Sequence, residues 1–348
     1  MEKRIRSGAQ TLRCFFGLTL LLSLAAALGA ASLDVNNPTG TSGLVLIDKL
    51  GHRVRFFDPA TFQEISNLDV GVTPHDLAFS PDHKTVYTPV YGDGVYGRNP
   101  HPGHTIAIID LASRQMTGTI DVSPYEAPHG IQVDAAGTLY VTCDLSRKVL
   151  AIDPQKRSIV AAIDNEGTGH WLAVLPDGSK AYVTNKTDRL FVSVIDLKAR
   201  KLTARIPAPN GTEGIGESPD GRRVLVADHA EPAILVVDSK TDTVIDRVPI
   251  KGSTTGMYKV RYTPDGSKVL VMNSSQGLIN ILSAADLHSE QQVVKVGKAP
   301  MGFAFSPDGK IALIANHGDG SVSVIDLAKA QMVSSFVAGT GIETLAYY

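Results

Sequence analysis

The chain repeats one short sequence pattern at a nearly constant interval. A Pro-Asp-Gly turn begins at Pro176, Pro219, Pro264 and Pro307, and the steps between these prolines are 43, 45 and 43 residues. A repeat period of this length predicts a solenoid or a propeller. The chain is therefore expected to build its core by stacking similar units.

Each repeat reads as four short strands. In the copy at Pro176, an apolar run leads into the turn, and residues 181–184, 192–195 and 201–206 alternate in the manner of strands, with β-branched residues in each. The turn glycine can take the positive φ that a tight connection requires. Four antiparallel strands in about 43 residues correspond to one propeller blade.

The number of blades follows from the turns and the two chain ends. Further turns at Pro81 and at residues 134–137 bring the count to six. Residues 44–65 match only the second to fourth strands of a repeat, and residues 340–348 match the missing first strand. We therefore predict an all-β, seven-bladed β-propeller over residues 43–348. Its ring closes when the C-terminal inner strand joins the three N-terminal strands and leaves no open blade edge.

The N-terminal residues are typical of an export signal. Basic residues precede an apolar run over residues 14–28, and small residues follow it. We predict a signal peptide over residues 1–31, a linker over residues 32–42 and a periplasmic or secreted mature protein. An uncleaved membrane anchor is the alternative. The run is shorter than the roughly 20 residues that a spanning helix needs, so no stable membrane insertion is expected after cleavage.

The charge of the mature chain argues against a nucleic-acid partner. Removal of residues 1–31 leaves 29 basic and 34 acidic residues. Nucleic-acid binding generally depends on a basic surface, which this balance does not favour. The expected partner is a small ligand or a protein of unknown identity.

One repeat carries the residues of a known family. Residues 182–185 read Tyr-Val-Thr-Asn, with Pro-Asp-Gly before them and Ser-Val-Ile-Asp after them. The chain resembles the YVTN-repeat β-propeller family from about Gly43 to Tyr348. This resemblance implies a seven-bladed fold and relatives that include surface-layer proteins, lactonases, and propellers that hold haem d1 or copper. Residues 128–142 also resemble the blades of streptogramin-type lyases, where a His and a Glu act with Mg²⁺.

The repeats differ most where the chain enters each first strand. That position opens on the ligand face of a propeller, and the residues found there are, in order, His75, His129, His170, Glu213, Met257 or Tyr258, Met301 and Glu343. Nearby positions add Trp171, His229 and His317 to the same face. We predict that these side chains surround the mouth of the central channel.

One repeat is longer than the others. The step from Pro81 to Asp134 is 53 residues, and the excess falls in residues 91–104, which include Tyr91, His101 and His104. Insertions in repeat proteins often mark the binding face. We expect this segment to cover the ligand face, and a surface insertion without function is the alternative.

The histidines provide the candidate chemistry. His75, His129 and His170 are candidate ligands of a divalent transition metal or a metallocofactor, because imidazole binds zinc, copper and iron. His129, His170 and Glu213 are also candidate catalytic acid–base groups. The sequence has no HExxH, CxxC or CxxCH motif. A purely structural role for the histidines is the alternative.

Two classes of function are compatible with this face. The preferred interpretation is a binding scaffold, which takes a ligand or a protein through the His-rich channel face. The alternative is a metal-dependent enzyme similar to lactonases or lyases, or a propeller that binds a copper or haem d1-type metallocofactor. Fold alone does not decide between them.

Overall fold

The computed structural model describes residues 43–348. They form seven four-stranded antiparallel sheets, which confirms the predicted all-β propeller. Within this range no helix is long and apolar enough to cross a membrane. The predicted signal peptide and linker lie outside the described residues.

The strands are numbered in chain order, and blades 1 to 7 follow the same order. The first blade begins with β1 (Leu44–Asp48), β2 (Arg53–Phe57) and β3 (Glu64–Asp69). Blade 2 contains β4 (Ala78–Phe79), β5 (Thr85–Val95), β6 (Arg98–Asp110) and β7 (Gln115–Asp121). Blade 3 contains β8 (Pro128–Val133), β9 (Leu139–Cys143), β10 (Lys148–Asp153) and β11 (Ser158–Asp164). Blade 4 contains β12 (Leu172–Val174), β13 (Lys180–Thr184), β14 (Phe191–Asp196) and β15 (Lys201–Pro207).

The remaining strands complete the ring. Blade 5 contains β16 (Thr212–Glu217), β17 (Arg223–Asp228), β18 (Ala233–Asp238) and β19 (Thr243–Pro249). Blade 6 contains β20 (Lys259–Tyr262), β21 (Lys268–Asn273), β22 (Leu278–Ser283) and β23 (Gln292–Lys295). Blade 7 contains β24 (Pro300–Phe305), β25 (Ile311–Asn316), β26 (Ser321–Asp326) and β27 (Gln331–Val337), and the final strand β28 (Ile342–Tyr347) returns to blade 1.

Ring closure occurs as the sequence predicts. Strand β28 pairs with β1 in an antiparallel register that sets Leu345 opposite Leu46. The buried carboxylate of Asp48 accepts hydrogen bonds from the backbone N–H groups of Thr340 and Gly341, at 3.2 and 2.9 Å. Strand pairing and these charge-assisted hydrogen bonds therefore join the N-terminal and C-terminal ends of the propeller.

Burial follows the layers of a propeller. The middle strands pack between neighbouring blades and are buried on both faces, as in β17, whereas the outer strand β15 alternates between exposed and partly buried residues. The Pro-Asp-Gly turns hold their glycines at positive φ, for example 68° at Gly221. The third-strand aspartates cap local turns, since Asp238 accepts the N–H groups of Lys240 and Thr241 at 2.9 and 2.8 Å.

Candidate functional site

Three buried imidazoles lie side by side at one end of the channel. We call His75, His129 and His170 the imidazole row. The ring centroids of His75 and His129 are 3.8 Å apart, and those of His129 and His170 are 4.6 Å apart. The three residues hold equivalent positions in blades 2, 3 and 4. Their rings lie close together because the inner strands of the blades converge on the channel axis. Gly130 allows this approach, since a Cβ there would lie 2.7 Å from the carbonyl oxygen of His170.

His129 is the most unusual member of the row. Its side chain is buried, with 1% of the residue exposed, and neither ring nitrogen has a hydrogen-bond partner among residues 43–348. Burial, reinforced by nearby cationic groups, holds the pKa of His129 well below 6.5. At neutral pH the ring is therefore uncharged and carries an available nitrogen lone pair. A buried polar group without a partner is rare in folded proteins and calls for an explanation.

A glutamate anchors the far end of the row. Oε2 of Glu213 lies 3.2 Å from Nδ1 of His170, and its Oε1 lies 3.1 Å from Nδ1 of His229 and 3.0 Å from the ammonium of Lys186. Burial alone would raise the pKa of Glu213. The two imidazoles and the ammonium outweigh burial and hold that pKa below its usual value. The Glu213 carboxylate is therefore a stable anion that can orient the His170 ring.

A second glutamate makes similar contacts at the other end. Glu343 lies 3.9 Å from Nδ1 of His75, 3.5 Å from Nδ1 of His317 and 3.6 Å from the ammonium of Lys49. Lys49 donates a hydrogen bond of 2.9 Å to Nε2 of His75. Because an ammonium can only donate, Nε2 accepts, and the proton of neutral His75 lies on Nδ1. The hydroxyl of Tyr258 lies 3.4 Å from Glu343. Each glutamate thus contacts two imidazoles and one lysine.

An aromatic side chain borders the imidazole row. The Trp171 ring centroid lies 4.9 Å from that of His129 in an edge-on arrangement, and the residue is buried. The ammonium of Lys259 lies 3.8 Å from the Trp171 ring centroid, within range of a cation–π contact.

The long repeat of blade 2 covers the row. Residues 91–104, which we call the mouth hairpin, extend β5 and β6 and turn at Gly97, where φ is +72°. The Tyr96 ring lies 4.4 Å from His170, and the Tyr91 ring lies 5.4 Å from His129, both measured between centroids.

Two hydroxyls fasten the mouth hairpin to the neighbouring blades. Tyr91 donates to Asp144 at 2.7 Å, and Tyr96 donates to Oγ1 of Thr168 at 2.6 Å. Burial raises the pKa of Asp144 to about 6, although the bonds from Tyr91 and from the Gly97 N–H oppose the increase. The mouth hairpin is therefore closed over the row in this structure.

The structure separates the predicted site residues into two groups. Around the imidazole row it gathers the predicted residues Tyr91, Trp171, Glu213, His229, Tyr258, His317 and Glu343. His104 instead bonds the carbonyl of Tyr125 at 2.9 Å, and His101 is exposed and pairs with Asp93. Met301 is a partly exposed residue of β24. Lys49, Lys186 and Lys259 were not predicted, and Tyr96 was predicted only as part of residues 91–104. Lys49 directly follows the second strand of blade 1, and Lys186 lies two residues past the second strand of blade 4. This position is the signal that could have found both.

The arrangement suits a metal that brings most of its ligands with it better than it suits a bare metal ion. Within residues 43–348, no group of three or more His, Cys, Asp or Glu side chains is placed to hold a metal ion. The row nevertheless offers a neutral imidazole with unpaired nitrogens, which can bind a metal whose other positions are already filled.

Fold and site together define a seven-bladed β-propeller with an imidazole-lined channel. The Cytochrome D1 heme domain family matches residues 47–263, which is more than half of the chain. The protein belongs to the Cytochrome D1 heme domain family.

One solved structure supports the fold assignment. A chain of hydrazine synthase from Kuenenia stuttgartiensis is similar, with a TM-score of 0.69 and 19% sequence identity. The match covers 78% of this chain and 89% of that chain. At this identity the likeness concerns the fold alone. No curated protein matches the sequence.

Proposed function

We propose that this protein binds a metal-containing cofactor in its channel and that His129 is the ligand of the metal. The observation that carries the proposal is the buried, neutral imidazole of His129, whose two nitrogens have no hydrogen-bond partner in the described part of the chain. A cofactor whose metal binds His129 would explain why this buried ring has no partner. This explanation also agrees with the family to which the chain belongs.

A cofactor explains the site better than a free metal ion. A bare ion held only by protein usually needs three or four side-chain ligands, and no such set is arranged within residues 43–348. A haem-type macrocycle supplies most of the coordination itself, so one or two imidazoles suffice. When bound, such a group supplies an iron that can exchange one electron.

The donor set fits a haem-type group, and the closed mouth hairpin limits the space for it. Rings spaced at 3.8 and 4.6 Å leave no gap for a macrocycle between them. A cofactor site usually has a volume of about 300–1,000 Å³. In this structure, Tyr91 and Tyr96 of the mouth hairpin cover the row where the cofactor would bind. The cofactor would therefore need the mouth hairpin to move outward before it reaches His129.

The surrounding residues have positioning roles in this proposal. Glu213 accepts from His229 and lies against Nδ1 of His170, which favours the tautomer that leaves Nε2 of His170 free. A carboxylate behind a histidine is the usual support of a metal ligand. His170 is thus the alternative to His129 as the metal ligand, and Glu213 orients it.

Cofactor titration tests the proposal. Haemin is added to the mature wild-type protein, to His129→Ala and to His83→Ala, and the Soret absorption is followed. His83 is an exposed histidine beside the Pro81 turn and serves as the matched control. We expect one haemin per chain for the wild type and for His83→Ala, and at least tenfold weaker binding for His129→Ala.

Parallel titrations with Cu²⁺ and Zn²⁺ separate the alternatives. Binding of a free ion that depends on His129, without haemin binding, would contradict the cofactor and favour a simple metal site. Equal haemin binding by all three proteins would remove His129 as the ligand. No binding of haemin or ions would leave the scaffold interpretation.

A further inference from the structure

Two glycines face each other where the mouth hairpin leaves blade 2. Gly92 lies on β5 and Gly103 on β6. At Gly92 φ is +95°, and a Cβ added there would collide with the backbone nitrogen of Gly103. A Cβ added to Gly103 would collide with the carbonyl oxygen of Val90. The two strands therefore meet here through backbone alone, and glycine backbone has the widest choice of conformations.

The pairing of the two strands is also interrupted at this point. The register steps from the pair Val90–Thr105 to the pair Gly92–Pro102, which leaves Tyr91 on β5 against two residues on β6. Such a bulge disrupts the hydrogen-bond ladder. Pro102 has no N–H group and cannot donate to the ladder either. The base of the mouth hairpin is therefore the point where β5 and β6 bend most easily.

The part of the mouth hairpin beyond the two glycines is largely exposed. We call residues 93–102 the lid. Val95 is 64% exposed, whereas Asn99 is buried and donates a hydrogen bond of 2.7 Å to the carbonyl oxygen of Tyr91. That bond joins the lid to its own base and not to another blade.

Blades 3 and 4 hold the lid down through polar contacts. The N–H group of Gly97 donates to Oδ2 of Asp144 at 3.1 Å, and the hydroxyl of Tyr96 donates to Oγ1 of Thr168 at 2.6 Å. The ammonium of Lys186 lies 5.3 Å from the Tyr96 ring centroid. An exposed segment with few buried contacts opens locally at a lower free-energy cost than the core of its domain.

We propose that the lid is a gate that swings as one unit about Gly92 and Gly103 and opens the path to the imidazole row. In the closed state the Tyr96 ring covers His170, with 4.4 Å between the ring centroids. Opening breaks the two cross-blade hydrogen bonds of the lid and carries Tyr96 away from His170. Residues that absorb such a motion are usually few and lie at the ends of elements. The inference deepens the proposed function, because the lid controls access to the same site.

Hydrogen exchange of the mature wild-type protein, without added ligand, tests the hinge. We expect the amides of the lid to share one protection factor, at least about tenfold lower than that of the paired amides of β5 and β6 within blade 2. The change in protection should fall at Gly92 and Gly103. Equal protection of the lid and the blade strands would overturn the hinge. So would a gradual increase from the tip with no change at the two glycines.

Chemical labelling of His170 tests whether the lid is a gate. Diethyl pyrocarbonate acylates uncharged imidazoles, and burial keeps the pKa of His170 below 6.5, so the ring is uncharged at pH 7.5. We expect Tyr96→Phe to raise the labelling rate of His170 about three- to tenfold, because the closed lid loses a hydrogen bond. The exposed His83 gives the reference rate in each protein. Tyr262→Phe is the matched control, since Tyr262 lies beside the Pro-Asp-Gly turns of blades 5 and 6, and it should leave the rate unchanged.

The two measurements can overturn the gate independently of the cofactor. An unchanged labelling rate in folded Tyr96→Phe would show that the lid does not control access to His170. If the variant does not fold, the exchange data of the wild type still decide the hinge. Normal lid opening without haemin binding would refute the cofactor and keep the gate. Haemin binding at His129 by a protein whose lid is as protected as its blades would refute the gate and keep the cofactor.

Discussion

Closure of the ring through β28 can be tested by removing its buried contacts. In this strand Ile342, Leu345 and Tyr347 are at most 8% exposed. Burial of one such side chain contributes about 1.5–3 kcal/mol, so deletion of residues 342–348 should cost about 5–9 kcal/mol. That loss is comparable with the whole free energy of unfolding of a typical domain, about 5–15 kcal/mol. The truncated protein should therefore lose its cooperative melting transition or melt far below the wild type.

A point substitution gives a graded version of the same test. Leu345→Ala removes a side chain that is 2% exposed and faces Leu46 in β1, and it should lower the free energy of unfolding by about 2–5 kcal/mol. This corresponds to a decrease in Tm of roughly 5–15 °C in differential scanning calorimetry. Leu190→Ala is the matched control, because Leu190 is 51% exposed and its loss should change stability by less than about 0.5 kcal/mol.

The comparison is informative only if the two ends of the chain respond differently. Deletion of residues 36–42, which precede β1, should leave Tm nearly unchanged. If the deletion of residues 342–348 also left Tm unchanged, or if the two Leu→Ala variants melted alike, closure through β28 would be refuted.

Three further predictions follow from the site and the N-terminus. First, stability should fall in acid: the three imidazoles of the row have pKa values below 6.5 when folded and near 6.5 when unfolded, so the unfolded chain binds more protons below pH 6.5. The loss approaches about 1.4 kcal/mol per imidazole per pH unit, and equal urea midpoints at pH 7.5 and 5.5 would contradict it. Second, Tyr96→Phe removes the bond to Thr168 and should speed haemin entry in stopped-flow mixing; an unchanged rate would show that the mouth hairpin is no barrier. Third, intact-mass analysis of the exported protein should show a start near Ser32 or Leu33, and a full-length chain in the membrane fraction would exclude cleavage there.

The pH at which cofactor binding is lost depends on the burial of His129, which the sequence alone does not show. A free histidine would lose metal affinity near pH 6.5, since binding requires the neutral ring. Burial shifts the pKa of His129 well below that value, so haemin binding should persist at pH 6 and weaken only at lower pH. Half-loss of binding at pH 6.5 would indicate that the ligand is an exposed histidine.

The fold was predictable because its signals are local and repeated. Pro-Asp-Gly fixes a turn wherever it occurs, and the strand at residues 342–347 matches the one missing from the first blade. The entry positions of successive blades are equivalent by symmetry, so their register alone places His75, His129 and His170 next to one another.

The rest of the site depends on contacts that no repeat position encodes. The length of the blade 2 repeat predicts that residues 91–104 cover the ligand face. It does not predict that they continue β5 and β6 as paired strands and bring Tyr96 to Thr168. Within the same segment the pairing leaves His101 exposed beside Asp93. Lys259 was missed because its environment, the Trp171 face, comes from another blade.

Metal analysis and absorption spectroscopy of the protein isolated from its native host test the central claim most directly. We predict about one transition metal per chain, carried by a cofactor that absorbs visible light, and the loss of both in His129→Ala produced in the same host. A colourless wild-type protein without a transition metal, folded and exported normally, would contradict the claim that the imidazole row holds a metallocofactor.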